Sequence, residues 1–302
     1  RIADSIYRAA GYSKEQNVPV STSRANGAYA LFTMPEPYIY QNDLIVGSLR
    51  SLWENVDEKM IADAQAVNAK FGERSFPTNA DHFAADYRTL TKIGITGIIE
   101  RIDRSMQAHS GHPEKLQFLR EMKIAASGMY EMIRKYKNKA GQLRGKDGYS
   151  DERLKFIINN CTQLLKGAPQ TFAQALQLVW FTHTCFLYEG RYAMALGRID
   201  SYLYPFYIND INKGLLTKEI ASELLENTFL KIYERHAYLG GDDVVNICIG
   251  GTGPAGECEV NELSYCILHA VGSCNVPGPN LSARITPDTP DKFLDECLKV
   301  IG

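Results

Sequence analysis

The sequence predicts a helix-rich α/β fold, and three observations predict it. Stretches with apolar residues recurring every three to four positions run through most of the chain. A β-branched run at residues 243–249 and a second candidate strand at 280–285 stand near its end. Helical segments at 262–270 and 290–301 follow those runs, giving the strand–helix–strand–helix order of a parallel sheet or an α/β barrel.

Taken in order, residues 1–50 are mixed, with short extended pieces at 38–40 and 44–47 around a turn at 41–43. A helix is expected over 55–70, and a loop over 75–81, where Pro77 and Asn79 break regular structure. Residues 87–106 carry Leu90, Ile93, Ile95, Ile98, Ile99 and Ile102 on a helical period, and 116–139 repeat the pattern through Phe118, Met122, Met129, Met132 and Tyr136. The glycine-rich stretch 141–150 reads as a domain boundary or a surface excursion. Helices are expected at 150–166 and 170–188, the second capped by Thr171 with Gln174 completing a capping box. A short aromatic segment covers 202–211. Thr217 caps a helix over 218–233, helped by Glu219 near its positive end. The run 243–249 reads as a buried strand closed by Gly250 and Gly251, residues 277–279 as a turn, and 290–301 as a helix with Thr289 as cap and Pro290 at the first helical position.

Composition excludes several function classes. With 33 basic and 35 acidic residues the formal charge is −2, so there is no electrostatic footprint for nucleic acid. The basic cluster 134–139 reads as a solvated helix end. No apolar run approaches the ~18 residues of a membrane span, and residues 175–186 read as a buried helix. No signal peptide is visible behind Arg1. Seven cysteines at irregular spacing, without a C-x-x-C pair, fit buried thiols in a reducing compartment, so a cytoplasmic location is expected. No ligand spacing for zinc is present.

Candidate chemistry is sparse. Gly250-Gly251-Thr252-Gly253-Pro254-Ala255-Gly256 lacks the spacing of a phosphate loop and reads as a turn after a strand. His109 and His112 lack a third metal ligand. His82 stands between a loop and a long helix, where side chains often enter pockets or serve structure. Asp86 either orients it or serves as a helix N-terminal acid. In Glu189-Gly190-Arg191-Tyr192-Ala193-Met194-Ala195-Leu196-Gly197-Arg198 the small residues permit close approach of backbone to another group, or simply close packing.

Several segments, in order, resemble the glycyl radical enzymes of the pyruvate formate-lyase-like superfamily. They include Asp43-Leu44-Ile45-Val46-Gly47-Ser48, the His82 to Gly94 helix entry, Pro169 to Gln177, and Leu196-Gly197-Arg198-Ile199-Asp200 with Tyr202-Leu203-Tyr204-Pro205. Asn246 to Gly251, Val260-Asn261-Glu262-Leu263-Ser264-Tyr265 and Pro279-Asn280-Leu281-Ser282-Ala283-Arg284 continue the series. The resemblance spans roughly residues 40–302. It implies one half of a ten-stranded α/β barrel wrapped by helices, with residues 1–302 as the N-terminal part of the domain.

The resemblance further implies elimination, C–C or C–N cleavage of a small-molecule substrate, closer to the dehydratase and lyase branch than to formate C-acetyltransferase. The chemistry would use a backbone glycyl radical installed by a radical S-adenosylmethionine activase, in a homodimer. It places substrate contacts at His82, Tyr192, Ala193, Ala195 and Ile285, with Asp86 contributing through hydrogen bonding, and treats Arg198 and Asp200 as structural. Ala195 stands where a dehydratase-type relative has serine, which argues against a small diol. Ile285 replaces an aromatic pocket residue. No cysteine here lies in the family's G-C-[VI]-E context, Cys258-Glu259 being the nearest approach, and no R-V-x-G segment is present. No catalytic residue is therefore assigned, and the chain by itself is expected to be inactive; a non-catalytic half-barrel scaffold is the alternative.

Overall fold

The computed structural model describes residues 2–12, 18–54, 56–71, 82–240 and 245–301. The loop expected at 75–81 and the first two residues of the strand expected at 243–249 lie outside the described residues. The chain runs through α1 (Ile2–Tyr12), α2 (Val20–Thr33), α3 (Glu58–Phe71), α4 (Tyr87–Ala108), α5 (Pro113–Leu143), α6 (Asp151–Lys166), α7 (Phe172–Tyr188), α8 (Ile199–Asn212) and α9 (Lys218–Leu239). It closes with β1 (Asn246–Gly250), α10 (Glu262–Cys274), β2 (Asn280–Arg284) and α11 (Asp291–Ile301).

Helix α7 is the axis of the core. Leu176, Leu178, Trp180 and Phe181 are buried on successive faces, as expected of a helix hydrophobic all round. Thr171 caps it, its hydroxyl accepting from the Gln174 amide at 3.3 Å. The expected capping box is displaced by one residue, because the Gln174 carboxamide accepts from the Gln170 amide at 2.8 Å instead of from Thr171.

The piece expected to be extended at 44–47 is not a strand: Leu44 and Ile45 lie in a bend, and Gly47 has φ 127°. Its backbone is satisfied by side chains, as buried peptide groups require. Gln177 of α7 accepts from the Val46 amide at 2.8 Å and donates to its carbonyl at 2.7 Å. Trp180 Nε1 donates to the Gly47 carbonyl at 2.8 Å, and Asn227 of α9 accepts from the Ile45 amide at 2.9 Å. Beside this segment Glu234 accepts from the Tyr40 and Ser48 hydroxyls at 2.8 and 2.6 Å, and Lys231 pairs with Asp43 at 2.8 Å, both nearly buried.

Other expectations also need correction. Residues 1–50 hold two helices, α1 and α2, the second without a marked apolar period. They pack through small residues: a methyl group on Gly27 would stand 2.6 Å from the Tyr12 ring. The helix expected over 87–106 is broken at Gly94, whose φ of 70° is left-handed and whose position lies against the Gly167 carbonyl. The basic cluster 134–139 stops about one turn short of the end of α5 and is only partly solvated. Lys135 donates to the carbonyls of Thr33 and Pro35, both at 2.7 Å, and so closes the C-terminus of α2. Thr289 does not cap α11; its hydroxyl accepts from the Thr286 amide at 2.8 Å and closes the preceding turn. Residues on both sides of 141–150 contribute to one buried cluster, from Tyr7 to Cys297, so that stretch is a surface excursion.

β1 and β2 pair in parallel, with Asn246 opposite Asn280, Cys248 opposite Ser282 and Gly250 opposite Arg284. Two further segments extend the pairing by single parallel bridges, Gly197 to Ile247 and Ala84 to Ala195. The result is an array in the order 84, 195–197, β1, β2, all running the same way.

Candidate functional site

The array has a covered and an open face. Ile247 and Ile249 of β1 are buried against the helices, as are Met194 and Leu196 of the neighbouring segment. The residues alternating with them are less covered: Asn246 and Cys248 on β1, Ala193 and Ala195 beside it, and Asn280, Ser282 and Arg284 on β2. The sequence reading of β1 as a buried strand therefore holds for one face only. Asn246, Cys248, Asn280 and Ser282 were not singled out from sequence. Their signal is the period-two alternation in N-I-C-I-G and N-L-S-A-R, masked in the first by cysteine, which counts as apolar.

Three of the sequence-predicted site residues are brought together. The Ala195 amide donates to the Phe83 carbonyl at 2.9 Å, which sets the His82 segment alongside Ala193 and Ala195. His82 is exposed and adopts a φ of 64°, in the left-handed region. Small side chains at Ala193 and Ala195, and none at Gly197, leave the middle of this wall flat. Gly197 has φ 63°, and a methyl group there would stand 3.1 Å from the Ala84 methyl.

The others are placed differently. Asp86 is the N-cap of α4, accepting from the Thr89 amide at 3.0 Å, and these hydrogen bonds hold its carboxylate below the usual range. It thus occupies the helix N-terminal position that sequence left open as an alternative. The Tyr192 ring lies under the Arg235 guanidinium at 4.6 Å. Ile285 follows the last residue of β2, half exposed, at the edge of the array opposite to His82.

Arg198 and Asp200 fasten the array to its helices. Arg198 donates to the carbonyls of Gly250 and Thr252 at 2.8 and 3.2 Å and pairs with Glu259. Asp200 is fully buried and accepts from the Gly250 amide at 2.7 Å and the Ser264 hydroxyl at 2.6 Å. Burial raises its carboxyl above the usual range against those two hydrogen bonds. Asn261 caps α10, accepting from the Leu263 and Ser264 amides, and donates to the Asp200 carbonyl at 3.2 Å. One cluster thereby ties the ends of β1, α8 and α10. Among the described residues no group of three histidine, cysteine or acidic side chains is placed to hold a metal ion, and no helix is long and apolar enough to cross a membrane.

A helix-wrapped parallel array with one open face of small and polar residues defines an α/β protein whose site would be built at the array. Residues 49–302 match the pyruvate formate lyase-like family model, and the chain belongs to that family. It is 31% identical over 199 residues to trans-4-hydroxy-L-proline dehydratase of Clostridioides difficile, covering 60% of this chain and 25% of that one. It is 27% identical over 252 residues to (2S)-3-sulfopropanediol dehydratase of Klebsiella oxytoca, covering 75% and 30%. The glycerol-bound B12-independent glycerol dehydratase of Clostridium butyricum shares the fold with a TM-score of 0.84 at 21% identity, over 99% of this chain and 47% of that one. The chain thus spans under a third of the curated relatives' length and about half of that structure. The family relatives are glycyl radical dehydratases and lyases.

Proposed function

We propose that this chain forms the N-terminal part of a glycyl radical enzyme of the dehydratase or lyase type, and that its array is one half of that enzyme's barrel. The observation that carries the reading is the open face: a flat wall of Ala193, Ala195 and Gly197 beside His82, running into Cys248 and Ser282. A parallel array that is polar and small-sided on one face needs cover there, since parallel sheets are found with both faces buried. Curling the array into a barrel turns His82 and Ile285, at its two edges, toward a common lumen.

The residues present fit such a centre. Ala193, Ala195 and Gly197 present no bulk, so backbone or substrate can approach closely. The radical, installed by a radical S-adenosylmethionine activase, would supply hydrogen-atom abstraction from the substrate through a cysteine thiol. This chain's own part is to bind and orient. His82 offers a hydrogen-bonding ring at one edge, and Ile285 an apolar wall at the other. Tyr192, held by Arg235, flanks the small-residue turn. Arg198 and Asp200 keep the β1 end fixed, and Asp86 anchors the helix that follows His82. An alanine at 195, with no hydroxyl to share, disfavours a small diol and suits a less hydroxylated substrate. The lumen would exclude water from the reacting atoms.

The test uses the anaerobically activated full-length enzyme containing this chain. Trans-4-hydroxy-L-proline, isethionate and glycerol are offered separately, and products are followed by NMR. Turnover of one of them is expected, with glycerol the poorest. Ala195→Leu should then lower turnover by about 100-fold at unchanged radical content, because a displacement of about 1 Å at a reacting centre costs that much. Equal turnover in the variant would remove Ala195 from the substrate wall.

A further inference from the structure

A cavity of about 440 Å³ lies behind the array, between α2, α5, α7 and the two segments that carry His82 and Ala195. Its walls are the rings of Phe32, Phe83 and Phe186 and the thioethers of Met129 and Met194, with Ala126 between them. Its volume is that of ordinary ligand sites. Rings and soft, adaptable sulfurs favour a flat aromatic occupant. The polar side chains lining it are Thr182, Cys185, Glu189 and Arg191, and Arg191 is not free. The Thr182 hydroxyl is engaged with the Leu178 carbonyl at 3.0 Å, and Glu189 pairs with Arg8 at 3.5 Å. Cys185 is buried there, and burial pushes its thiol well up, so it is uncharged. Phe83 is 47% exposed and is the largest apolar surface that an occupant would remove from water.

We propose that this cavity is a binding site for a small, uncharged aromatic molecule, separate from the open face. Its place gives it a consequence. Met194 alternates with Ala193 and Ala195, and Phe83 lies between His82 and Ala84, joined to Ala195 by the 2.9 Å backbone hydrogen bond. An occupant bears on both side chains from behind and so sets the position of the wall on the other face; that consequence for substrate rests on the proposed reading of the open face.

The test is binding of 4-fluorotoluene to the full-length enzyme containing this chain, carrying ¹³C-methyl methionine and observed by NMR. Saturable shifts are expected at the Met129 and Met194 methyls, with Met60, Met106 and Met122 unmoved. Ala126→Phe, which projects a ring into the cavity, should weaken binding at least tenfold. Shifts that do not saturate, that spread evenly over the methionines, or that survive Ala126→Phe in a folded variant would overturn the proposal. The methionine map of the unmodified enzyme decides the matter even where the variant does not fold. Neither readout involves turnover, so failure here leaves the reading of the open face standing, and failure of that reading leaves the cavity's occupancy to be judged by these shifts alone.

Discussion

A single methyl group at Gly197 would meet the Ala84 methyl at 3.1 Å on a backbone with φ 63°, so two independent penalties fall on one position. Gly197→Ala should cost about 1–3 kcal/mol, seen as a lower urea midpoint with an unchanged slope. A different kind of residue strain lies at His183, which is fully buried on α7 against Trp180, with no hydrogen-bond partner for either ring nitrogen among the described residues. Burial lowers its pKa to about 4 from 6.5. Above pH 6.5 the ring is neutral in both folded and unfolded chains. Below that the unfolded chain takes up the proton first, so stability falls between pH 6.5 and about 4, by about 3 kcal/mol in all. The urea midpoint of the chain relative to that of His183→Phe, followed across that window, should move in the variant's favour as the pH falls; a difference independent of pH would show that the ring is not buried neutral.

At the scale of elements, caps and periodicity were legible and glycine packing was not. Thr171 and Thr217 stand where their side chains cap α7 and α9, and replacing Thr217 by alanine should cost about 1 kcal/mol, a few degrees in thermal melting. The helices from α4 onward follow from apolar residues at a helical period, because each buries a stripe against α7 or its neighbours. α2 was hidden because its many small residues give no marked apolar period, and close approach at Gly11 and Gly27 joins it to α1. The break in α4 was hidden because Gly94 sits within an otherwise unbroken isoleucine pattern. Of the candidate site, the small-residue wall and His82 were legible from the family resemblance. Its polar extension along β1 and β2 was not, since a strand with one face against helices and the other open looks apolar when cysteine and isoleucine alternate.

Over the whole molecule, one buried cluster links α1 to α11, and buried polar groups fix how the 40–52 segment lies on it. Lys231 and Asp43 are about 95% buried and paired at 2.8 Å, so Lys231→Met would strand the carboxylate and cost about 3–5 kcal/mol, measurable by urea unfolding. The same packing leaves the parallel array uncovered on the face that carries His82, Ala195 and Cys248. The central claim is that this face is one half of a glycyl radical centre and has no radical chemistry by itself. The most direct measurement is anaerobic EPR after treatment with a radical S-adenosylmethionine activase, on the 302-residue chain alone and on the full-length enzyme containing it. The account predicts a glycyl radical signal in the full-length enzyme and none in the isolated chain; a glycyl signal in the isolated chain would contradict it.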